Sequence, residues 1–249
     1  MLTMTEIDNN RDRFMSLISE LEQELGVAEG SLDTLKEYLD KSDFYFAPAS
    51  TQYAYSYEGG RCEHCLNVYD IMCKLNEMNK DFSKVMIPKV SIMITSLFHD
   101  LYKINYYEEY IKNEKVYSDD GKKSDELGRF DWVSKKVFGI KDVSKRYTVG
   151  DGGITSYTIL TRFLLIEPNE AAAIINHTSG MDKLVNDSRT TEVIAKYPIA
   201  TLLHTADYLS TFYYPNVEHF DYPVEEEVEE ESTEEVKEDS DKDVDDLPF

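Results

Sequence analysis

His64, His99, Asp100, His177 and Asp207 are the side chains whose types and positions could do chemistry. The most informative pair is His99-Asp100, which ends the almost wholly apolar run Val90-Ser91-Ile92-Met93-Ile94-Thr95-Ser96-Leu97-Phe98. An ionisable pair at the end of a buried helix is costly unless something compensates it. A divalent cation compensates it directly, because neutral imidazole and carboxylate both suit Mn, Fe, Zn and similar ions. His64 lies on the preceding helix and Asp207 on a late one. His64, His99, Asp100 and Asp207 therefore bring two imidazoles and two carboxylates from three helices. His177 follows a second apolar run, Ala171-Ala172-Ala173-Ile174-Ile175.

Other residues allow plainer accounts. Cys62-Glu63-His64-Cys65 has the outline of a zinc knuckle, but a structural zinc site needs a second pair, and only Cys73 remains. His204, one turn before Asp207, can cap, stack or hydrogen-bond behind the ligands instead of joining them. His177 reads either as a ligand or as a satisfied surface histidine. Lys103 on a solvated face is the default for any lysine. The tyrosines at 53, 55 and 57 and at 106, 107 and 110 could stack on bases, although packing at the edge of a core explains them as well. His219 is given no role.

These residues must be positioned by helices. Residues 6–25 show apolar positions on one helical face (Ile7, Phe14, Leu17, Ile18, Leu21, Leu25), with Gly26 as a stop. Ser31–Asp40 reads as a second helix with Ser31 as its N-cap. Phe44–Gly60 is aromatic and turn-rich. Arg61–Met78 returns to helical spacing, and Pro88 suits the first turn of the apolar helix that ends at His99. The stretch from about 106 to 147 is rich in Tyr, Val, Asp and Gly, with Ser118-Asp119-Asp120-Gly121 as a turn between two short strands, so a small β-hairpin insertion is expected. Helices resume at about Ile154–Leu165, Pro168–His177 and Tyr197–Phe212. The expected fold is mainly α, with residues 1–43 as N-terminal helices and 44–222 as the domain that carries the chemistry.

The 249 residues are 41% hydrophobic, enough for one sizeable core. No apolar run has the length of a membrane span, so no membrane partner is expected, and no secretory signal is visible at the N-terminus. Three cysteines, which cannot all pair, fit a reducing, cytoplasmic setting. The net charge is −23, and from Asp221 to Phe249 there are 15 acidic and 2 basic residues. An acidic body argues against a broad grip on duplex nucleic acid but not against a small anion held by metal. Residues 223–249 form a charged tail that cannot bury enough surface to offset its chain entropy and is expected to be disordered.

Taken in order, His64, His99-Asp100 and Asp207 resemble the H…HD…D pattern of the HD superfamily of metal-dependent phosphohydrolases. The flanks sharpen this. Gly59-Gly60-Arg61-Cys62-Glu63-His64-Cys65-Leu66-Asn67 resembles the family's "GG-x-x-x-H-x-x-N" lead-in. Leu97-Phe98-His99-Asp100-Leu101-Tyr102-Lys103 resembles its "L-x-H-D-x-x-K" core. Leu202-Leu203-His204-Thr205-Ala206-Asp207 resembles its terminal "L-H-x-A-D". Ala47-Pro48-Ala49-Ser50 ahead of Gly59-Gly60 is similar to the HD domain of a Gram-positive 3′-to-5′ exoribonuclease and to phage-encoded HD proteins, which would place the chain in a bacterial host cytoplasm. The resemblance spans residues 44–212. It implies a helical HD-domain bundle holding one or two divalent ions (Mn, Fe, Mg, Co, Ni or Zn) that hydrolyses a phosphate ester. His64, His99, Asp100 and Asp207 would be the ligands, with Asp100 bridging two ions, Lys103 meeting a phosphate oxygen and His177 completing a second site. Where relatives carry His in a "G-H-G-E" stretch, this chain has Gly150-Asp151-Gly152-Gly153. Asp151 either ligates through oxygen or marks a lost position.

The last residues, Asp245-Asp246-Leu247-Pro248-Phe249, resemble the C-terminal tip of bacterial single-stranded-DNA-binding proteins. That tip presents a terminal carboxylate and a Phe ring to a partner with a basic rim. Two functions are therefore carried forward. One is a phosphohydrolase acting on a nucleotide or a short single-stranded nucleic acid, recruited through its tail to proteins that receive such tips. The other is a catalytically degenerate HD scaffold that mimics the tip as a recruitment or decoy protein.

Overall fold

Helical spacing of apolar residues accounts for the first element. Ile7, Phe14, Leu17, Ile18 and Leu21 share the buried face of α1 (Met4–Glu24). A capping box starts this helix. The Thr3 hydroxyl accepts from the Glu6 N–H, and the Glu6 carboxylate accepts from the Thr3 N–H at 2.6 Å. Gly26 ends it at φ +65°, the left-handed conformation that favours glycine. The structure is a computed structural model that describes residues 1–82, 86–177 and 188–213.

In α2 (Asp33–Asp40) the expected cap is displaced. Leu32, not Ser31, holds the N-cap position and makes no side-chain bond there. The buried Glu22 carboxylate of α1 takes the Leu32 N–H at 2.7 Å, while the Ser31 hydroxyl turns back to the Ala28 carbonyl. The helix start is satisfied by a neighbouring element, which local sequence cannot announce.

Next come α3 (Gly60–Phe82) and α4 (Lys89–Phe98). Pro88 sits just ahead of α4, at its N-cap rather than in its first turn. From Ser91 to Phe98 every residue of α4 is buried. Its hydroxyls are satisfied internally: Thr95 and Ser96 donate to the Ser91 and Ile92 carbonyls, each at 2.7 Å, and Ser91 donates to Glu170 at 2.7 Å.

The remaining helices are α5 (Gly152–Leu160), α6 (Pro168–Asn176), α7 (Ser188–Lys196) and α8 (Pro198–Tyr208), which runs into a π-helical turn at Leu209–Tyr213. One hydrophobic cluster joins Phe14, Leu35, Leu66, Leu97, Ile174 and Leu203, so the two N-terminal helices share their core with the helices that follow. Phe14 is its aromatic centre, with the Phe44, Tyr45 and Phe98 rings edge-on at 5.0, 5.9 and 6.0 Å.

Between α4 and α5 the chain forms a three-stranded antiparallel sheet, not a two-stranded hairpin. Its strands are β1 (Tyr107–Tyr117), β2 (Lys123–Asp125) and β3 (Gly128–Ile140), in the order β1-β3-β2. The Ser118–Gly121 turn leads from β1 into β2, yet β1 pairs with β3, from Tyr107↔Ile140 to Tyr117↔Phe130. A turn signal marks where the chain reverses but not which strand will lie alongside. Phe130 and Tyr107 are buried at the two ends of that ladder, and Lys115 lies over the Phe130 ring at 4.5 Å.

The molecule is thus mainly helical with a small sheet. The described residues all belong to one compact unit, Met1–Glu218, and no helix among them is long and apolar enough to cross a membrane. The charged tail expected to be disordered and the tip Asp245–Phe249 lie outside the described residues.

Truncating the aromatic centre should cost far more than truncating the sheet surface. Phe14→Ala is expected to lower unfolding free energy by about 3–5 kcal/mol. Ile111→Ala, at a residue 73% exposed, should change it by less than about 0.5 kcal/mol. Urea denaturation midpoints check both, and equal costs would refute the assignment of the core.

Candidate metal centre

Helix ends position the cluster. His99 is the C-cap of α4 and His177 that of α6. The last carbonyls of a helix have no partner within it. Here two such carbonyls are taken by imidazoles: His99 Nδ1 donates to Ser96 O at 2.7 Å, and His177 Nδ1 donates to Ile174 O at 2.6 Å. Each bond requires the proton on Nδ1 and leaves Nε2 as a lone pair facing inward, the arrangement that backbone carbonyls impose on metal-binding histidines. His64, on α3, is held by Ser210 in the π-helical turn, with Nδ1 3.2 Å from the hydroxyl. Ser210 is held in turn by the Tyr55 hydroxyl at 3.1 Å, and Asn67 donates to Tyr55 at 3.0 Å.

Tyr55 reaches this position because the loop before α3 folds tightly on it. Gly59 has φ +83°, and a Cβ on Gly60 would stand 2.3 Å from the Tyr55 carbonyl oxygen. Only glycine permits both features.

The inward-facing atoms meet. His64 and His99 approach through Nε2 at 3.3 Å. The Asp100 Oδ2 lies 3.9 Å from His64 Nε2 and 3.8 Å from His99 Nε2, while its Oδ1 lies 3.5 Å from His177 Nε2. Asp207 Oδ1, from the end of α8, is 3.2 Å from His64 Nε2. One ligand atom each from His64, His99 and Asp100 falls within 4.8 Å of the others.

Lys103 donates to Asp100 Oδ2 at 2.7 Å from the 3₁₀ turn Leu101–Lys103. A carboxylate oxygen offers two lone-pair directions, so Lys103 and a cation can both address Oδ2. His64, Asp100, Lys103, His177, His204 and Asp207 line one cavity of about 670 Å³, and His99 is buried behind them.

Electrostatics keep His99 and the two carboxylates in ligating form. Burial pushes His99 down to about 4, against the pull of Asp100, so its imidazole is neutral at physiological pH. Burial alone would raise the Asp100 carboxyl, but the Lys103 ammonium and the surrounding histidines outweigh it and hold the group well below the usual carboxylate range. Asp207 is lowered against its own burial by the hydrogen bond and charge of His64. Lys103 is raised: burial opposes its charge, and Asp100 more than compensates.

A divalent cation fits this donor set. Among the described residues the buried His177 Nε2 has no hydrogen-bond partner, and its 3.5 Å to Asp100 Oδ1 is too long to count as one. Three imidazole Nε2 atoms and two carboxylates in one cluster are also donors for borderline first-row metals.

The structure brings together His64, His99, Asp100, His177 and Asp207, with Lys103 against Asp100. His204 stands behind them, its Nδ1 3.4 Å from the His177 carbonyl oxygen. Asp151 is not brought to the cluster. It is exposed, and its carboxylate caps α5 by accepting the Ile154 N–H at 3.1 Å. An aspartate ahead of Gly-Gly at a helix start satisfies the orphan N–H groups there, and that local demand takes the side chain. Cys62 and Cys65 are buried thiols, raised by burial, and join no metal-binding group among the described residues. Ser210 is not legible as a site residue, because the π-helical register that turns it towards His64 has no sequence signature.

The neutral His99 imparts a pH dependence. Its folded-state value, about 4, lies below its ordinary 6.5, so protonation favours the unfolded chain. With chelator present, stability should be full above pH 6.5 and fall by about 3 kcal/mol as pH drops through 4. Urea titrations across that range check this. His99→Gln should lose that part of the slope, and an unchanged slope would refute the assignment.

No family model, curated protein or solved structure matches the chain.

Proposed function

We propose that the chain is an HD-type, divalent-metal-dependent phosphohydrolase acting on a nucleotide or a short single-stranded nucleic acid. The observation that carries this reading is the convergence of His64, His99, Asp100, His177 and Asp207 in one cluster, four of them lining one cavity with a mostly buried lysine. The order and flanks of these residues resemble the H…HD…D pattern. His64, His99, Asp100 and Asp207 would hold the first ion. The two Asp100 oxygens face different histidines, and a second ion would be held by Asp100 and His177. Bound metal supplies Lewis acidity towards a phosphoryl oxygen and lowers the pKa of water.

The chain's own groups do the rest. Carbonyl-anchored His99 and His177 hold their lone pairs in place without needing a cation to orient them. Asp100 keeps its charge in a dry floor because Lys103 neutralises it. Lys103, whose side chain is mostly buried, lines the cavity and presents a donor to a second anion, a phosphoryl oxygen.

The recruitment half of the proposal rests on Asp245-Asp246-Leu247-Pro248-Phe249, which lie outside the described residues. The second reading, a degenerate HD scaffold whose tail acts as a decoy, is favoured by one observation. Asp151, at the position where relatives carry a ligating His, spends its carboxylate on capping α5.

Metal content and phosphate release separate the two. The first reading expects stoichiometric Mn, Co or Ni after reconstitution, and turnover in a screen of dNTPs, NMPs, cyclic dinucleotides and single-stranded oligonucleotides. His99→Ala and Asp100→Ala should reduce turnover to background. Lys103→Ala should lower kcat by about 10²-fold with metal content retained. A protein that binds no metal and turns over nothing leaves the scaffold reading. Deleting the last five residues should leave turnover intact while abolishing capture of proteins that bind single-stranded-DNA-binding-protein tips.

A further inference from the structure

The cavity above the ligand cluster has a wall that metal chemistry does not use. Tyr53 and Tyr208 flank Phe212, with ring centroids 5.3 and 5.1 Å from it. All three line the cavity yet are 58%, 46% and 42% exposed. Rings of this size gain by burial, so three grouped at a cavity mouth leave apolar surface for a ligand to cover.

Their positions follow from the backbone. The Ser50 hydroxyl accepts the Tyr53 N–H at 2.7 Å and fixes that loop. Tyr208 closes α8, and Phe212 follows Thr211, whose hydroxyl is 3.5 Å from Asp207 Oδ1. The rim is therefore one residue removed from the ligand set.

Floor and rim ask for different chemistry in one molecule. Among the described residues that line the cavity, Lys103 is the only Lys or Arg, so the fixed positive charge they offer an anion lies at the floor. The rim carries no charge and offers flat π faces. A sugar phosphate reaches the floor but has no flat ring to set against the rim. A molecule with a phosphoryl group at one end and a flat neutral heterocycle at the other fills both.

We propose that Tyr53, Tyr208 and Phe212 form a base-stacking subsite, so that the ligand is a nucleotide unit with its phosphomonoester beside Lys103 and its base on the rim. The phosphoryl half of this assignment rests on the metal-centre reading above, while the stacking half stands on the rings alone.

Calorimetry on the full chain tests it, with Mn²⁺ and again with EDTA. The probes are AMP, adenosine, ribose 5-phosphate, phosphotyrosine and a short 5′-phosphorylated oligonucleotide. With Mn²⁺, AMP should bind at least about tenfold tighter than ribose 5-phosphate, the lower range of one stacked base. The double substitution Tyr53→Ala with Phe212→Ala should erase that difference and leave ribose 5-phosphate affinity unchanged, and Phe212→Trp should preserve it. Both ring positions are exposed, and equal thermal melts confirm that the double variant folds.

In EDTA, adenosine should still bind in a rim-dependent way. That result together with no metal and no phosphate binding would sink the hydrolytic reading and keep the subsite. Rim-dependent binding of the oligonucleotide but not AMP assigns the subsite to a strand end. Equal affinities for AMP and ribose 5-phosphate, an AMP preference unchanged in the double variant, or rim-dependent binding of phosphotyrosine in place of AMP would each overturn the proposal.

Discussion

Asp100 is 2% exposed and charged, and a carboxylate taken out of water must be answered by positive charge or by several donors. Lys103 answers it with an ion pair at 2.7 Å, while the Nε2 lone pairs of His99 and His177 face it and add no positive charge of their own. Most of the other features near the site serve this requirement. The apolar α4 delivers Asp100 to the interior, and the turn to Lys103 brings the ammonium back under it. The long strand β1 starts four residues later, with Tyr107 buried beside the same region. The Tyr107 hydroxyl donates to the Ala49 carbonyl at 3.0 Å, which ties the base of the sheet to the loop that lines the cavity.

A second buried charge stiffens that junction. Arg61 is wholly buried at the start of α3, and its Nη1 reaches Asp43 Oδ1 at 3.3 Å. The same Asp43 oxygen accepts the Asn105 N–H at 2.8 Å, and the Arg61 guanidinium lies 5.9 Å from the centre of the Tyr107 ring. One carboxylate thus connects the loop after α2, the start of α3 and the approach to β1. Replacing Arg61 with lysine would lose the planar group that reaches both.

The helices were legible because their periodicity and punctuation agree: the buried face of α1, the glycine after it, and Pro168 opening α6. His99-Asp100 was legible because a charged pair closing an apolar run is a local conflict, and local conflicts concentrate where function lies. What escaped was non-local. The cap of α2 comes from Glu22 of another helix. The pairing of β1 with β3 skips the turn that marks the reversal. Asp151 is a local case: an oxygen ligand and a lost position are both open in the sequence, and the side chain caps the helix it precedes. Ser210 meets His64 only because α8 loosens into a π turn, and hydrophobic pattern carries no trace of that register.

The cluster also has a consequence for folding. Its side chains come from positions 64, 99, 100, 177 and 207, so closing it joins segments separated by up to 143 residues. A zinc finger draws its ligands from neighbouring turns and can fold around its ion as an isolated peptide. Here no fragment shorter than residues 64–207 contains the full set, and the loops must be closed by the apolar core before the imidazoles can meet. Any cation that binds does so to the finished tertiary structure, and by mass action it stabilises that whole structure against unfolding, not one helix of it. Occupancy of the centre and integrity of the fold are thereby one cooperative quantity.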